Sequence, residues 1–210
     1  MKRRVTYGGP SRATSKNSES DESSATFVRR LALYCAVCHS GDMTHLLVIH
    51  HSPTHSVQQL LDAALRGANH PDIEGVQVTS RPALAWARDE EDETLIQQAD
   101  GYLFITPANF GYMSGALKHV FDSTFLKIGG SLSADGSASG GEAATQRRLY
   151  GLIVHGRYDT TGAVRSVEGI VGGLGWRRGG EVLEAMGDVT EEDLEAAEDL
   201  GATIAVQLMD

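Results

Sequence analysis

Residues 103–122, which read LFITPANFGYMSGALKHVFD, constrain the fold more than any other stretch of the sequence. Their apolar start, together with Tyr102, predicts a buried strand over residues 102–106, and a short loop follows. Apolar residues then recur at helical spacing, which predicts a helix with one buried face. That face comprises Met113, Ala116, Leu117, Val120 and Phe121. A strand that leads through a tight loop into a helix is typical of open α/β sheets, where ligands bind beyond the carboxyl ends of the strands.

The same alternation of strand and helix patterns extends over residues 43–210. Further strands are predicted at residues 46–50, 76–80, 149–154 and 181–183. Further helices are predicted at residues 57–66, from about Glu91, at residues 160–174, and after a capping box of Thr190 and Asp193. Five strands that alternate with helices predict an α/β fold with a doubly wound, five-stranded parallel sheet in the order 2-1-3-4-5.

Two segments do not fit this alternation. Residues 8–24 are rich in serine, threonine, glycine and charge, and bury too little apolar surface to become ordered. Residues 1–42 are therefore predicted to be a disordered N-terminal extension of a domain that covers residues 43–210. Alternatively, the protein starts at Met43, shortly before the first predicted strand. Residues 129–144, rich in glycine and serine, are predicted to form a flexible surface loop.

The two cysteines of the chain, Cys35 and Cys38, form with His39 the pattern C-x-x-C-H, which is typical of c-type haem attachment. Haem attachment requires export, and the preceding residues do not resemble a signal peptide. A zinc knuckle would need a second pair of ligands, which is not evident. Both cysteines are therefore interpreted as incidental, and neither haem nor a metal is predicted.

Composition argues against two classes of partner. The formal net charge is −10 and no long basic stripe is present, which argues against nucleic acid because duplex binding depends on many lysine and arginine contacts. No apolar run approaches the roughly 20 residues that a membrane-spanning helix needs. Since no signal peptide is recognisable either, a cytoplasmic location is predicted.

Three loops are expected to meet at one edge of the sheet, because each follows a predicted strand. The first, residues 51–57, reads HSPTHSV. The hydroxyls of Ser52, Thr54 and Ser56, with the free N–H groups of a helix N-terminus, suit a phosphate group. Helix capping by the same hydroxyls is an equally good interpretation. The loop lacks the glycine patterns of Walker A and Rossmann loops.

The second loop consists of Pro107, Ala108, Asn109, Phe110 and Gly111. An aromatic ring, an amide and a glycine suit contacts to the face and edge of a planar ligand. In the alternative interpretation, this is an ordinary turn with Phe110 folded into the core.

The third loop contains His155, Gly156, Arg157 and Tyr158. A glycine there allows close approach of the backbone, and an aromatic side chain could flank a ligand. The alternative is a plain turn capped by the residues that follow. Each of the three loops follows the carboxyl end of a predicted strand, and together they favour a ligand site.

Two of the loops resemble a known family. The stretch Ser52-Pro53-Thr54-x-Ser56-Val57 resembles the S-x-T-G-x-T phosphate loop of flavodoxins and flavodoxin-like NAD(P)H-dependent FMN reductases. Residues 106–115, TPANFGYMSG, resemble the T-P-x-x-F-G-x-M-S-G stretch of the quinone-reductase branch. The similarity covers about residues 43–208 and implies a flavodoxin-like fold.

The resemblance also implies a cofactor, FMN, and a role for each loop. The phosphate would be held by Ser52, Thr54, Ser56 and Val57. The second loop would line the isoalloxazine, and the third would close its other edge, with His155 as a candidate proton donor. His55 stands where the phosphate loop usually has glycine, so its side chain would either crowd the phosphate or donate to it.

Three functions follow from the resemblance. The first is an FMN-dependent oxidoreductase that passes hydride from NAD(P)H to a quinone or similar small-molecule acceptor. The second is a flavodoxin-type carrier that exchanges electrons with a redox protein, to which the acidic charge is suited. The third is a flavodoxin fold without flavin that acts in protein interaction. A homo-oligomer is implied by the resemblance alone.

Overall fold

A computed structural model describes residues 43–132, 138–140 and 145–209 of the chain. The predicted extension over residues 1–42, with Cys35, Cys38 and His39, lies outside the described residues. The strands are β1 (Thr44–His50), β2 (Val76–Pro82), β3 (Gly101–Asn109), β4 (Tyr112–Met113), β5 (Gly130–Leu132), β6 (Ala138–Gly140), β7 (Leu149–Gly156), β8 (Arg177–Arg178) and β9 (Leu183–Met186). The helices are α1 (His55–Ala68), α2 (Leu84–Ala87), α3 (Glu93–Gln98), α4 (Gly115–Thr124), α5 (Thr161–Gly173) and α6 (Glu191–Gln207).

The main sheet is parallel and has the order β2-β1-β3-β7, with β8 and β9 both pairing with the outer side of β7. Because β8 and β9 share the fifth position, this is the predicted order 2-1-3-4-5, and the prediction is confirmed. The central strands read as continuous apolar runs, as expected for strands covered on both faces.

The two faces of the sheet carry separate apolar clusters, as a doubly wound fold requires. One cluster includes Phe104, Trp176 and residues of α4 and α5. The other includes Leu103, Ile153 and residues of α1 and α6. In the first cluster the ring of Trp176 stacks on that of Tyr102, with 4.0 Å between their centroids. Burial raises the pKa of Tyr102 to about 12, and its hydroxyl donates to the carbonyl of Ile96 over 2.7 Å.

Helices α1 and α6 touch through glycine. A Cβ on Gly201 would lie 2.0 Å from the carbonyl oxygen of Ala64, and one on Gly67 would lie 1.8 Å from that of Glu198. Helix α6 begins with the predicted capping box, in which Thr190 and Asp193 each bond the backbone N–H of the other.

Several element boundaries differ from the sequence-based predictions. The fifth strand, expected at residues 181–183, is β9 at Leu183–Met186, and β8 was not expected at all. The helix expected from about Glu91 begins after the N-cap Asp92, and the one-turn helix α2 precedes it. Part of the glycine-rich stretch forms an antiparallel pair, β5 with β6. Among the described residues, no helix is long and apolar enough to cross a bilayer.

Candidate functional site

The carboxyl ends of β1, β3 and β7 lie side by side. His50, the last residue of β1, is in register with Ile105 of β3, and Pro107 of β3 is in register with His155 of β7. The chain leaves each strand within a few residues of these pairs. The three predicted ligand loops therefore lie along one edge of the sheet, beside the switch point between β1 and β3.

The first loop ends in the N-terminus of α1. Thr54 is the N-cap, and its hydroxyl accepts from the N–H of Val57 at 3.4 Å. His55 is the first helical residue, not a loop residue, and its side chain is exposed. The first N–H groups of a 14-residue helix have no partner within the helix, so they and the helix dipole favour an anion here.

Two histidines where β1 meets this loop, His50 and His51, were not among the predicted ligand residues. The Nδ1 atom of His50 lies 2.9 Å from the hydroxyl of Ser52, which orients that hydroxyl. The Nδ1 atom of His51 is buried and has no hydrogen-bond partner in the described part of the protein. Burial lowers the pKa of both imidazoles. A buried ring nitrogen without a partner, on the residue directly before Ser52 and the start of α1, fits a phosphate group as the missing partner.

The second loop is shorter than predicted because β3 runs on to Asn109, so that Pro107, Ala108 and Asn109 are strand residues. The chain then turns back through Phe110 and Gly111 into β4, which pairs antiparallel with the end of β3. The φ angles of the two turn residues are 53° and 74°, which defines a tight hairpin of the type that favours glycine or asparagine.

Phe110 departs from that preference and is also fully exposed, at 109% of its reference area. The alternative in which Phe110 folds into the core is therefore wrong. Met113, predicted on the buried face of the following helix, is instead buried in β4, because α4 begins only at Gly115 with Ser114 as its N-cap.

Two residues of the TPANFGYMSG stretch fix the base of this hairpin. The hydroxyl of Thr106 accepts from the N–H of Ser114 at 3.1 Å and donates to the carbonyl of Pro107 at 3.0 Å. The hydroxyl of Ser114 accepts from the N–H of Leu117 at 3.2 Å. Both hydroxyls are buried, so this threonine and this serine hold the turn against the start of α4.

The third loop is tied to its neighbours. The Nε2 atom of His155 lies 3.0 Å from the carbonyl of Gly187 and therefore donates a hydrogen bond to it. Arg157 forms an exposed ion pair with Asp188 at 2.9 Å. Tyr158 is 92% exposed and offers its ring to solvent.

Close contacts bring the second and third loops together. A Cβ on Gly162, in the first turn of α5, would lie 2.1 Å from the carbonyl oxygen of Gly111. A Cβ on Gly156 would lie 3.2 Å from the Cβ of Ala108. Asp159 accepts from the N–H of Thr161 at 2.9 Å, which lowers the pKa of its carboxyl. The two loops form one continuous wall, with exposed aromatic side chains at its rim.

Tyr112 is a further rim residue that the predicted loops did not include. It lies in β4, next to the turn, and is 44% exposed. An exposed aromatic in a strand of only two residues has no periodicity, so the residue pattern alone could not identify it. His51 was likewise missed, although an imidazole directly after a buried strand was a usable signal.

Comparison with known proteins identifies the class that this fold and site define. The family model of NADPH-dependent FMN reductases matches residues 44–163, which include all three loops. The chain therefore belongs to the NADPH-dependent FMN reductase family, and with it to the flavin-binding redox proteins. No curated protein sequence matches the chain.

Solved structures show the same fold at low sequence identity. A flavodoxin from the domain Archaea has a TM-score of 0.61 and 13% identity over 80% of this chain and 100% of its own. A WrbA-like flavodoxin from Agrobacterium tumefaciens has a TM-score of 0.57 and 18% identity over 79% of this chain and 97% of its own. A flavodiiron core from Synechocystis has a TM-score of 0.59 and 17% identity over 80% of this chain, which spans only 36% of that protein.

Proposed function

We propose that the protein is an FMN-binding oxidoreductase that takes hydride from NAD(P)H and passes reducing equivalents to a quinone or similar acceptor. The family match and the loop geometry support this proposal. The single observation that carries it is Phe110, a bulky residue at a left-handed turn position with its ring fully exposed. Folding alone would favour glycine there, so a ligand contact explains the phenylalanine best.

In this proposal each loop has a defined task. The hydroxyls of Ser52, Thr54 and Ser56 and the free N–H groups in the first turn of α1 bind the phosphate, and the N–H of Val57 positions the hydroxyl of Thr54. The unpartnered Nδ1 of His51 adds a contact to the same group. His55, exposed at the first helical position, either donates to the phosphate or crowds it.

The second and third loops bind the ring system. Residues 107–111 form one wall, with Phe110 on the ring, and residues 155–158 close the other edge. When bound, FMN supplies the hydride and one-electron chemistry. The hydrogen bond from Nε2 of His155 to the carbonyl of Gly187 orients the ring, and His155 is kept as the candidate proton donor. The two loops therefore orient the flavin ring and exclude water from one of its faces.

Reduction by NADPH tests the proposal. FMN-loaded protein is mixed with NADPH without oxygen, and the flavin absorbance band is followed in a stopped-flow instrument. Rapid bleaching that depends on NADPH concentration is expected, followed by reoxidation on addition of a quinone. A loaded protein whose spectrum stays unchanged with both NADPH and NADH would contradict hydride uptake from nicotinamides.

The acidic charge favours a second candidate, an electron carrier without substrate turnover. A net charge of −10 suits docking to basic redox partners. In that case the flavin is not bleached by NADPH but is reduced by a redox protein, at a rate that falls as ionic strength rises.

A further inference from the structure

A second candidate site lies at the amino ends of the strands, opposite the flavin loops, where β1, β3, β7 and β8 begin. An open cavity of about 690 Å³ is present there. This volume is within the range of roughly 300–1,000 Å³ that is typical of small-molecule sites. Its lining includes Arg147, Arg148, Arg177 and one acid, Asp100.

Backbone hydrogen bonds bring the three arginines together. The N–H of Arg147 donates to the carbonyl of Gly175 at 3.0 Å, and the N–H of Arg177 donates to that of Arg148 at 2.9 Å. The Nε atom of Arg177 also donates to the carbonyl of Arg147 at 3.1 Å. Two Arg-Arg pairs that are 30 residues apart in the sequence thus meet where β7 and β8 begin, in parallel register.

Little in the described part of the protein neutralises these charges. Arg148 donates to the carbonyl of Ile96 and the hydroxyl of Tyr102, which are both uncharged. Arg147 and Arg177 form no ion pair with the described residues, whereas the adjacent Arg178 pairs with glutamates. The carboxylate of Asp100 accepts from the backbone N–H of His45 at 2.8 Å. Three arginines that line one cavity without an ion pair to any described residue, in a chain with a net charge of −10, indicate a site for an anion.

Arg147, like Phe110, is a bulky residue in a left-handed backbone conformation. Its φ angle is 67°, in the left-handed region that costs a bulky residue about 1–2 kcal/mol. Glycine would fit this position without that cost. A strained arginine at the mouth of a cavity is best explained by a contact that its side chain makes.

We propose that this cavity binds a small molecule that carries phosphate groups with at least two negative charges. Arginine suits phosphate because its planar fork donates two parallel hydrogen bonds. The apolar body of the ligand would lie on Leu149, Leu208 and Met209, which also line the cavity. The nine residues of β3 separate this edge from the flavin loops by roughly 25–30 Å, so the site is independent of the proposed flavin chemistry.

Isothermal titration with ADP at low salt tests the proposal, with adenosine as the comparator that lacks phosphate. ADP is expected to bind and adenosine is not. Arg147→Gly and Arg177→Ala should each weaken ADP binding at least tenfold, with no loss of the urea midpoint for Arg147→Gly, because glycine relieves the strained φ. Arg88→Ala, which removes an exposed arginine that does not line this cavity, should leave ADP binding unchanged.

Each alternative outcome overturns the proposal. If ADP does not bind, if adenosine binds as tightly, or if Arg147→Gly behaves like Arg88→Ala, the cavity is not a phosphate site. Saturating FMN should not displace ADP. Displacement by FMN, with no effect of the arginine variants, would place ADP in the first flavin loop and contradict a second site. If the protein does not bind FMN, the ADP titrations and the arginine variants still test this cavity, so failure of the flavin proposal is distinguishable from failure of this one.

Discussion

Phe110 occupies a backbone position that disfavours it. Replacing it with glycine should stabilise the protein by about 1 kcal/mol, because the left-handed strain is removed and no buried contact is lost. The same change should weaken FMN binding at least fivefold if the ring contacts the flavin. Urea unfolding and fluorescence titration measure the two effects. A variant that is more stable and binds FMN as well as the wild type would remove Phe110 from the site.

Thr54 is the N-cap of α1 and, in the proposed flavin site, also binds the phosphate, and a matched variant separates the two roles. Thr54→Ala removes an N-cap and a hydroxyl of the proposed phosphate loop, so it should cost about 1 kcal/mol of stability and weaken FMN binding about tenfold. Thr190→Ala removes the N-cap of α6 and should cost a similar stability, with FMN binding unchanged. If both variants weaken FMN equally, the effect of Thr54 is one of stability and not of phosphate binding.

Three histidines of the β1 segment make stability depend on pH. Burial lowers the pKa values of His45, His50 and His51 in the folded protein. The unfolded chain therefore binds more protons below its histidine pKa of about 6.5, and stability falls as pH decreases from there towards the folded values. At His45 the carboxylate of Asp100 raises the pKa and Arg81 lowers it, but burial is the largest cause.

The free energy of unfolding, measured in urea at pH 7.5 and 5.5, should therefore be lower at pH 5.5. His45→Leu should reduce the difference, because it removes one titrating group whose Nε2 atom is buried without a partner in the described residues. An unchanged difference in this variant would show that His45 does not titrate in this range.

At the scale of elements, the contact between α1 and α6 depends on two glycines. Gly201→Ala should destabilise the protein by roughly 2–3 kcal/mol, because the added Cβ would overlap the carbonyl oxygen of Ala64. Gly169→Ala is the matched control on α5, where a Cβ meets nothing within 4 Å. It should stabilise by about 0.5–1 kcal/mol, since alanine restricts the unfolded chain. Thermal and urea unfolding of both variants test this difference, and a Gly201→Ala variant as stable as the wild type would contradict it.

The sequence predicted the long elements and missed the short ones. The central strands are continuous apolar runs, and α6 has a capping box, so both carry strong local signals. The turn at Phe110 and Gly111 was missed because it uses a phenylalanine where hairpins of this type use asparagine or glycine. The spacing of Met113 from Leu117 fits a helix, but Met113 lies in β4, which pairs with β3 before α4 begins.

At the scale of the whole molecule, the position of the candidate flavin site followed from topology. Strand order determines which loops lie at the same end of the sheet, so the sequence of strands and helices alone predicts that the three loops lie together. The arginine cavity could not be predicted in this way. Its Arg-Arg pairs meet only through the pairing of β7 with β8, a strand of two residues with no sequence pattern of its own.

Titration of the purified protein with FMN tests the central claim most directly. FMN fluorescence is followed as protein is added, for the wild type and for Thr54→Ala. The flavin site described here predicts saturable quenching with one FMN per chain, and weaker quenching for the variant. Fluorescence that stays unquenched at protein concentrations well above micromolar would contradict an FMN site. It would favour the remaining candidate, a flavodoxin fold that acts in protein interaction without flavin.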